Sequence, residues 1–186
     1  MNKPYLYFIF WLLTAVACQS PKALFQEKND DWFAKGDADW KFLNNELVGT
    51  ISNGNGLVMT RKSYGDFVLE LEFHPDSTIN SGVFIRCKNE ELSATDCYEI
   101  NIWDLNPNQD YRTGGVVLRS KPLAHVETLN QWNSYKIQCK NNHVQSWVNG
   151  ILTTDLQNDE LATGRIALQA RGQGTIMFRN VRIREL

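Results

Sequence analysis

The chain has no excess of either charge. Its 19 Lys and Arg face 21 Asp and Glu, a formal net charge of −2 with a sequence pI near 5.9. That removes the electrostatic ground for a nucleic-acid partner, whose binders usually leave a basic stripe and a pI above roughly 9. Apolar runs stay short of the about 20 residues a membrane-spanning helix needs. Histidine and cysteine are scarce, at three and four residues. The cysteines form no Cys-x-x-Cys pair, and His74, His125 and His143 lie near turns without metal spacing, so a zinc site is not expected. Gly54 and Gly56 precede no helical pattern, which disfavours a phosphate loop. Ser81, in Asn80-Ser81-Gly82, lacks a nucleophile-elbow context and suits a turn. There is no internal repeat, no low-complexity tract and no second-domain linker. Nor does any stretch of 12 or more residues combine an apolar helical stripe with caps.

What is present describes one domain behind an export segment. Of 186 residues, 42% are hydrophobic and 22% charged, which excludes disorder, collagen and coiled coil. About 150 residues already bury about 70% of the unfolded surface, so a core needs no staples. At the N-terminus, Lys3 precedes the apolar run Tyr5–Leu13 and the small-residue stretch Thr14-Ala15-Val16-Ala17. This is the make-up of a secretory signal over residues 1–17. Ala15-Val16-Ala17 fits an ordinary cleavage site. Cys18 directly after it resembles a bacterial lipobox, and lipidated Cys18 is the favoured reading. The mature protein would then sit in the bacterial cell envelope, touching membrane through its N-terminal lipid only. Residues 18–36 read as that lipidated Cys and a polar tether, and residues 37–186 as the folded domain.

From Trp40 onward the apolar period is two. Phe67, Leu69, Leu71 and Phe73 alternate with Val68, Glu70 and Glu72. Similar runs follow at Val83–Cys87, Tyr98–Trp103, Tyr135–Cys139, Val144–Val148, Ile166–Ala170 and Ile176–Arg184. Turn signals such as Asn53-Gly54, Asn141-Asn142 and Asn149-Gly150 separate them. Many short strands indicate an all-β sandwich or jelly roll of two antiparallel sheets. Cys87 and Cys97 end and begin adjacent strand-like runs, so an oxidising envelope permits a hairpin disulfide. Cys139 reads as a small core residue.

Alternation also sorts polar residues onto faces. Glu99, Asn101 and Trp103 share one side of their strand, opposite Tyr98, Ile100 and Ile102. Phe84 and Arg86 share a side, as do Gln145, Trp147 and Asn149, and so do Arg165, Ala167, Gln169 and Arg171. A solvated outer face is the common outcome for antiparallel sheets. Trp103 and Trp147 argue for more, because an aromatic ring beside amides, carboxylates and guanidinium groups suits the C–H face and hydroxyls of a sugar. Asp104 is either a second carboxylate beside Glu99 or a strand-terminating turn residue before Asn106-Pro107.

An ordered set of segments carries a family resemblance. It comprises Tyr64-Gly65-Asp66-Phe67, Asn80-Ser81-Gly82-Val83-Phe84-Ile85-Arg86, Tyr98-Glu99-Ile100-Asn101-Ile102-Trp103-Asp104, Thr113-Gly114, Trp132-Asn133, Asn149-Gly150, Gly164–Gln169 and Phe178-Arg179-Asn180-Val181. Together they resemble the bacterial 3-keto-disaccharide hydrolase domain. The resemblance implies a concanavalin- or laminin-G-like jelly roll that binds an oligosaccharide or glycoside whose C3 hydroxyl has been oxidised to a ketone. Such a ketone acidifies the C2 hydrogen. A base removes it, the C1 substituent leaves, and water adds. The implied needs are a carboxylate base, a cation or divalent metal at the ketone, and a proton donor; the metal's identity stays open.

By the same resemblance, Glu99 is the base or a metal ligand, Arg86 the cation that stabilises the enediolate, and Asp104 the second carboxylate. Asn80, Asn101, Trp103 and Gln169 would orient the sugar. Two positions depart from the family: Asn101 stands where Gln is frequent, and Gly115-Val116-Val117-Leu118 follows Thr-Gly where a Tyr is usual. Two other readings stay open. One is a non-catalytic, lectin-like module using Trp103 and Trp147, and the other is a structural lipoprotein.

Overall fold

The computed structural model describes residues 20–186. The export segment 1–17 and Cys18 lie outside the described residues. Thirteen strands carry the fold. They are β1 (Lys22–Ala23), β2 (Trp32–Gly36), β3 (Asp39–Leu43), β4 (Glu46–Ile51), β5 (Asn55–Thr60), β6 (Phe67–Pro75), β7 (Ile79–Cys87), β8 (Tyr98–Ile102), β9 (Asn133–Lys140), β10 (His143–Val148), β11 (Ile151–Gln157), β12 (Arg165–Gly172) and β13 (Gly174–Glu185). A single turn of 3-10 helix spans Gln109–Tyr111. The strands form two sheets. One runs β11-β10-β9-β6-β13-β4-β3, with β1 added beside β13, and the other runs β2-β5-β12-β7-β8. The expected two-sheet antiparallel sandwich is what the chain adopts.

The alternation explains the layers. Phe67, Leu69, Leu71 and Phe73 of β6 point inward against Tyr135 and Ile137 of β9 and Phe178 and Ile183 of β13. From the other sheet come Val58, Val83, Ile85, Tyr98, Ile100, Ile166 and Leu168. Tight turns take residues that tolerate positive φ: Asn149 (51°) and Gly150 (79°) join β10 to β11, and Asn44 (52°) and Asn45 (66°) join β3 to β4.

The stretch read as a tether is different from expectation. Residues 22–36 belong to the fold. β1 pairs with β13 through Lys22↔Ile183, and β2 pairs with β5 through Trp32↔Thr60. Leu24 and Phe25 enter the core. Two adjacent apolar residues inside a polar stretch are enough to tie down a strand too short to show a period.

Cys87 and Cys97 are bridged, which closes the β7–β8 connection, and Cys139 is free and buried. Just before Cys87, the β7–β12 ladder slips. Arg165 pairs with Cys87 but Ala167 pairs with Phe84, and Arg86 adopts φ 52°. This bulge turns the Arg86 side chain into the interior, where the residue is 0% exposed. All five N–H donors of its guanidinium find oxygens. Nε and Nη2 reach Gly65 O at 3.1 and 2.9 Å, Nη2 reaches Asp66 Oδ1 at 3.0 Å, and Nη1 reaches Asn141 O at 2.8 Å and Leu161 O at 3.0 Å.

A lysine in this place has the charge but not the planar fork, and leaves carbonyls unpaired. Arg86→Lys should therefore lose about 2–3 kcal/mol and Arg86→Ala about 3–5 kcal/mol in urea denaturation. Equal midpoints for wild type and Arg86→Lys would contradict this role.

Candidate functional site

The outer face of the five-stranded sheet divides into rows set by strand register. Phe33, Met59, Ala167, Phe84 and Glu99 stand side by side across β2, β5, β12, β7 and β8. The next row is Lys35, Leu57, Gln169, Gly82 and Asn101, and beyond it Asn55, Arg171 and Asn80 are in register. The first row is apolar up to Glu99 and is covered. Phe33, Met59, Ala167 and Phe84 pack with Leu57, Cys87, Cys97 and Leu92 as a small separate cluster. The disulfide-closed 88–97 connection therefore lies over this part of the sheet. Glu91 pairs with Lys35 on the far edge strand, and Glu90 pairs with Arg165 at 2.9 Å.

Glu99 sits where the covered apolar row meets the open polar ones. Burial beside Phe84 raises its carboxyl from the usual 4.5 to about 7, and Arg171 is the one charge that works in the opposite direction. Next to it, Gly82 has no side chain, and a Cβ there would lie 3.3 Å from the Phe84 ring and 3.5 Å from Glu99 Cγ. The missing side chain leaves the Phe84 ring and the Glu99 side chain close over the β7 backbone. Two amide oxygens, Gln169 Oε1 and Asn80 Oδ1, are buried on this face without a hydrogen-bond partner. Gln169 Nε2 is held by Asn55 Oδ1 at 3.0 Å, which fixes the amide. An unpartnered buried acceptor costs about 1–3 kcal/mol, so two of them on the face that carries Glu99 call for a polar partner, water or ligand.

Of the expected site residues, Glu99, Asn80 and Gln169 come together here. Asn101 shares their face, but its side chain is committed: Nδ2 donates to Tyr111 O, and Oδ1 accepts from Ile102 N at 3.1 Å. It braces the 103–115 loop rather than facing a ligand. Trp103 follows the strand, half-buried, with its N–H donating to Thr113 Oγ1 at 2.9 Å. Arg86 and Asp104 are not brought to this face. Arg86 is consumed in the interior as described above. Asp104 is buried with its carboxylate accepting from Thr128 N (2.6 Å) and Thr128 Oγ1 (2.9 Å), and Arg112 Nη2 lies at 3.8 Å. That is the anchor of a loop. Trp147 also departs from the sugar face expected for it together with Trp103. It projects from the outside of the other sheet, where Lys136 Nζ lies 5.0 Å from its ring.

Among the described residues no group of three or more His, Cys, Asp or Glu side chains converges. On the Glu99 face the uncommitted ligand atoms are one carboxylate and two amide oxygens, and Arg171 acts on Glu99 through its charge. Hard divalent cations take about six or more oxygens, part of them from water or substrate; the protein offers one carboxylate here, and no step is assigned to a metal.

A family described as the 3-keto-alpha-glucoside-1,2-lyase-like domain matches residues 20–184. The chain belongs to this family. The match begins at residue 20, which agrees with β1 and β2 being part of the lyase-like domain. Solved structures with the same fold include a glycosyl hydrolase candidate from Parabacteroides distasonis ATCC 8503, with TM-score 0.78 and 22% identity over 90% of this chain and 100% of that one. Carbohydrate binding module CBM66 from Bacillus subtilis has TM-score 0.64 and 14% identity, over 83% and 96% of the two chains. The Bacillus licheniformis β-glucanase has TM-score 0.61 and 17% identity, over 87% and 95%. No curated protein matches the chain by sequence. The lyase-like domain is thus a carbohydrate-related β-sandwich of the jelly-roll type.

Three members of its face were not singled out from sequence: Arg171, Asn55 and Gly82. Alternation along Arg165–Arg171 already aligns Arg171 with Gln169. Gly82 and Asn55 become visible only through register, because both look like turn residues in one dimension.

The raised Glu99 pKa has a consequence for stability. In the unfolded chain this carboxyl ionises near 4.5, and in the folded protein near 7. Its stabilising contribution is complete below pH 4.5 and is lost as pH rises through 7, because the folded state then holds a desolvated charge. Glu99→Gln should match wild type in urea stability near pH 4 and exceed it by about 2–3 kcal/mol near pH 9. A difference independent of pH would contradict the burial argument.

Proposed function

We propose that this protein cleaves 3-keto-glycosides by removing the C2 hydrogen, with Glu99 as the base. The observation that carries the reading is a carboxyl raised to about 7 by burial on an otherwise amphipathic sheet face. A general base is most effective when its pKa lies near the working pH.

In this mechanism the sugar ring lies over Gly82, and its hydroxyls donate to Gln169 Oε1 and Asn80 Oδ1. The Glu99 carboxylate takes the proton from C2. Negative charge gathers on the C3 oxygen as an enediolate, where Arg171 supplies the compensating charge in place of Arg86. The electron pair moves to form the C1–C2 double bond as the C1–O bond breaks. The departing oxygen takes up a proton, from protonated Glu99 or from water, and addition of water across the double bond completes net hydrolysis. The enzyme would work in the bacterial envelope, held there through a lipid on Cys18.

A 3-keto-disaccharide incubated with the protein should release the C1 substituent, with kcat/KM rising through an inflection near pH 7. Glu99→Gln should lower the rate by about 10²–10⁴-fold. Full activity in that variant would overturn the assignment. The lectin-like reading is supported by the same two unpartnered amide oxygens. It requires binding of unmodified glycan at this face that survives Glu99→Gln, without any cleavage of the 3-keto sugar.

Gly82→Ala is a finer probe. The added carbon would lie 3.3 Å from the Phe84 ring, which must give slightly, so stability should fall by about 1 kcal/mol. The methyl group would stand against the Glu99 side chain where the sugar is placed in this mechanism, and KM should rise at least about tenfold. Unchanged KM would remove the substrate from this position.

A further inference from the structure

A groove of about 600 Å³ lies on the opposite side of the molecule, on the outer face of the eight-stranded sheet. Register builds it. Trp147, Lys136, Glu70 and Arg182 stand in one row across β10, β9, β6 and β13. Ser134, Glu72 and Arg179 form the next. Small residues keep the floor low at Ser134 and open the rim at Gly150, where an added Cβ would meet nothing within 4 Å. The β13 ladder slips between Arg179 and Arg182, and Asn180 there takes φ 53°.

The polar groups are held in place. Arg179 Nε donates to Glu72 Oε2 at 2.6 Å, and Asn180 Nδ2 donates to Glu72 Oε1 at 3.0 Å. The Arg179 guanidinium lies 3.9 Å from the Trp132 ring, whose other neighbour is His74 at 5.5 Å. Trp147 is half-buried, and the Lys136 ammonium steadies its indole from 5.0 Å; such a contact contributes about 0.5–1 kcal/mol at an exposed site. Glu70, Lys136 and Arg182 are exposed and line the groove.

We infer that this groove is a second saccharide site, separate from the Glu99 face, and that its ligand is a neutral oligosaccharide. The volume falls in the range of small-molecule sites, about 300–1,000 Å³. An indole flanked by carboxylates, a guanidinium, an amide and a hydroxyl offers an apolar platform with donors and acceptors at its rim. Charge decides the class. The lining carries Glu70 and Glu72 against Lys136 and Arg182, with Glu72 paired to the adjacent Arg179, so both signs are interspersed and neither a polyanion nor a polycation meets a field of opposite charge. A neutral polyol uses all four, accepting from the cations and donating to the carboxylates. Glu72 and Asn180 are already ordered through their hydrogen bonds, which limits the conformational freedom they lose on binding. The site needs no catalysis, and it stands whether or not Glu99 is a base.

The test is an amide and indole NMR titration of residues 20–186 carrying Glu99→Gln, with maltotetraose and cellotetraose up to about 20 mM, where weak sites of Kd about 1 mM fill. The site predicts saturable shifts at Lys136, Gly150, Arg182 and the Trp147 indole with at least one of the two sugars. Trp147→Ala and, separately, Arg182→Ala should weaken these at least fivefold. If Trp147→Ala does not fold, Arg182→Ala and Lys136→Ala decide. Shifts confined to Gly82 and Gln169, no shifts at all, binding untouched by the substitutions, or preference for a sulfated oligosaccharide would each overturn the proposal. Loss of 3-keto-disaccharide cleavage by Glu99→Gln with these shifts intact separates the two faces.

Discussion

The sandwich depends on a cation placed between its sheets. Arg86 ties together three chain segments: the entrance to β6 at Gly65 and Asp66, the β9–β10 turn at Asn141, and the β11–β12 connection at Leu161. Two of these belong to the eight-stranded sheet, and Arg86 itself belongs to the five-stranded one. Desolvating a guanidinium is costly, and only complete pairing makes it tolerable. The backbone is shaped for this. Gly164 passes so close that a Cβ would lie 2.3 Å from the Arg86 carbonyl carbon, and Asp66 Oδ1 also accepts from Asn141 N at 2.9 Å. A side chain so used cannot also meet substrate without giving up what joins the sheets.

With the sheets locked, the five-stranded one can carry a face that is poorly satisfied. The 88–97 connection, closed by Cys87–Cys97 and tethered through Glu90 and Glu91, covers the apolar end of that face, and exposure rises toward Asn55, Asn80 and Arg171. Glu99 lies on the boundary. Its pKa follows from its burial, and the Gln169 and Asn80 amide oxygens are buried without a protein hydrogen-bond partner. Each feature is unfavourable for folding alone. They gather on one face, which is the usual sign of a ligand site.

The sandwich, its core strands and the shared face of Glu99, Asn80 and Gln169 were legible because alternation is a local property. The readings that failed needed information alternation does not hold. Arg86 is two residues from Phe84 and by period should share its outer face, but the bulge inserts a residue and reverses the direction. Asp104 falls on the opposite parity from Glu99, and Thr128, its partner 24 residues away, gives no sequence signal. Trp147 was correctly placed facing outward from its strand, while the sheet to which that strand belongs is set by pairing with β9 and β11. The strands at Lys22 and Trp32 are too short for a period to emerge.

The number of carboxylates at the face bears on the chemistry. Ordinary glycoside hydrolysis places two, about 5–9.5 Å apart, one of them acting as acid and the other as nucleophile or base. Here the ionisation of Glu99 responds to burial and to Arg171, and to no other carboxylate. Asp104, the natural second member, is locked onto Thr128, and Glu90 and Glu91 are paired with Arg165 and Lys35. A lone carboxyl beside a cation is poorly suited to protonating a leaving group while a partner attacks C1. It is well suited to taking one proton from an acidic carbon and leaving the resulting charge to a guanidinium. The shortage of acid groups therefore favours elimination from an already oxidised sugar over direct hydrolysis of an ordinary one.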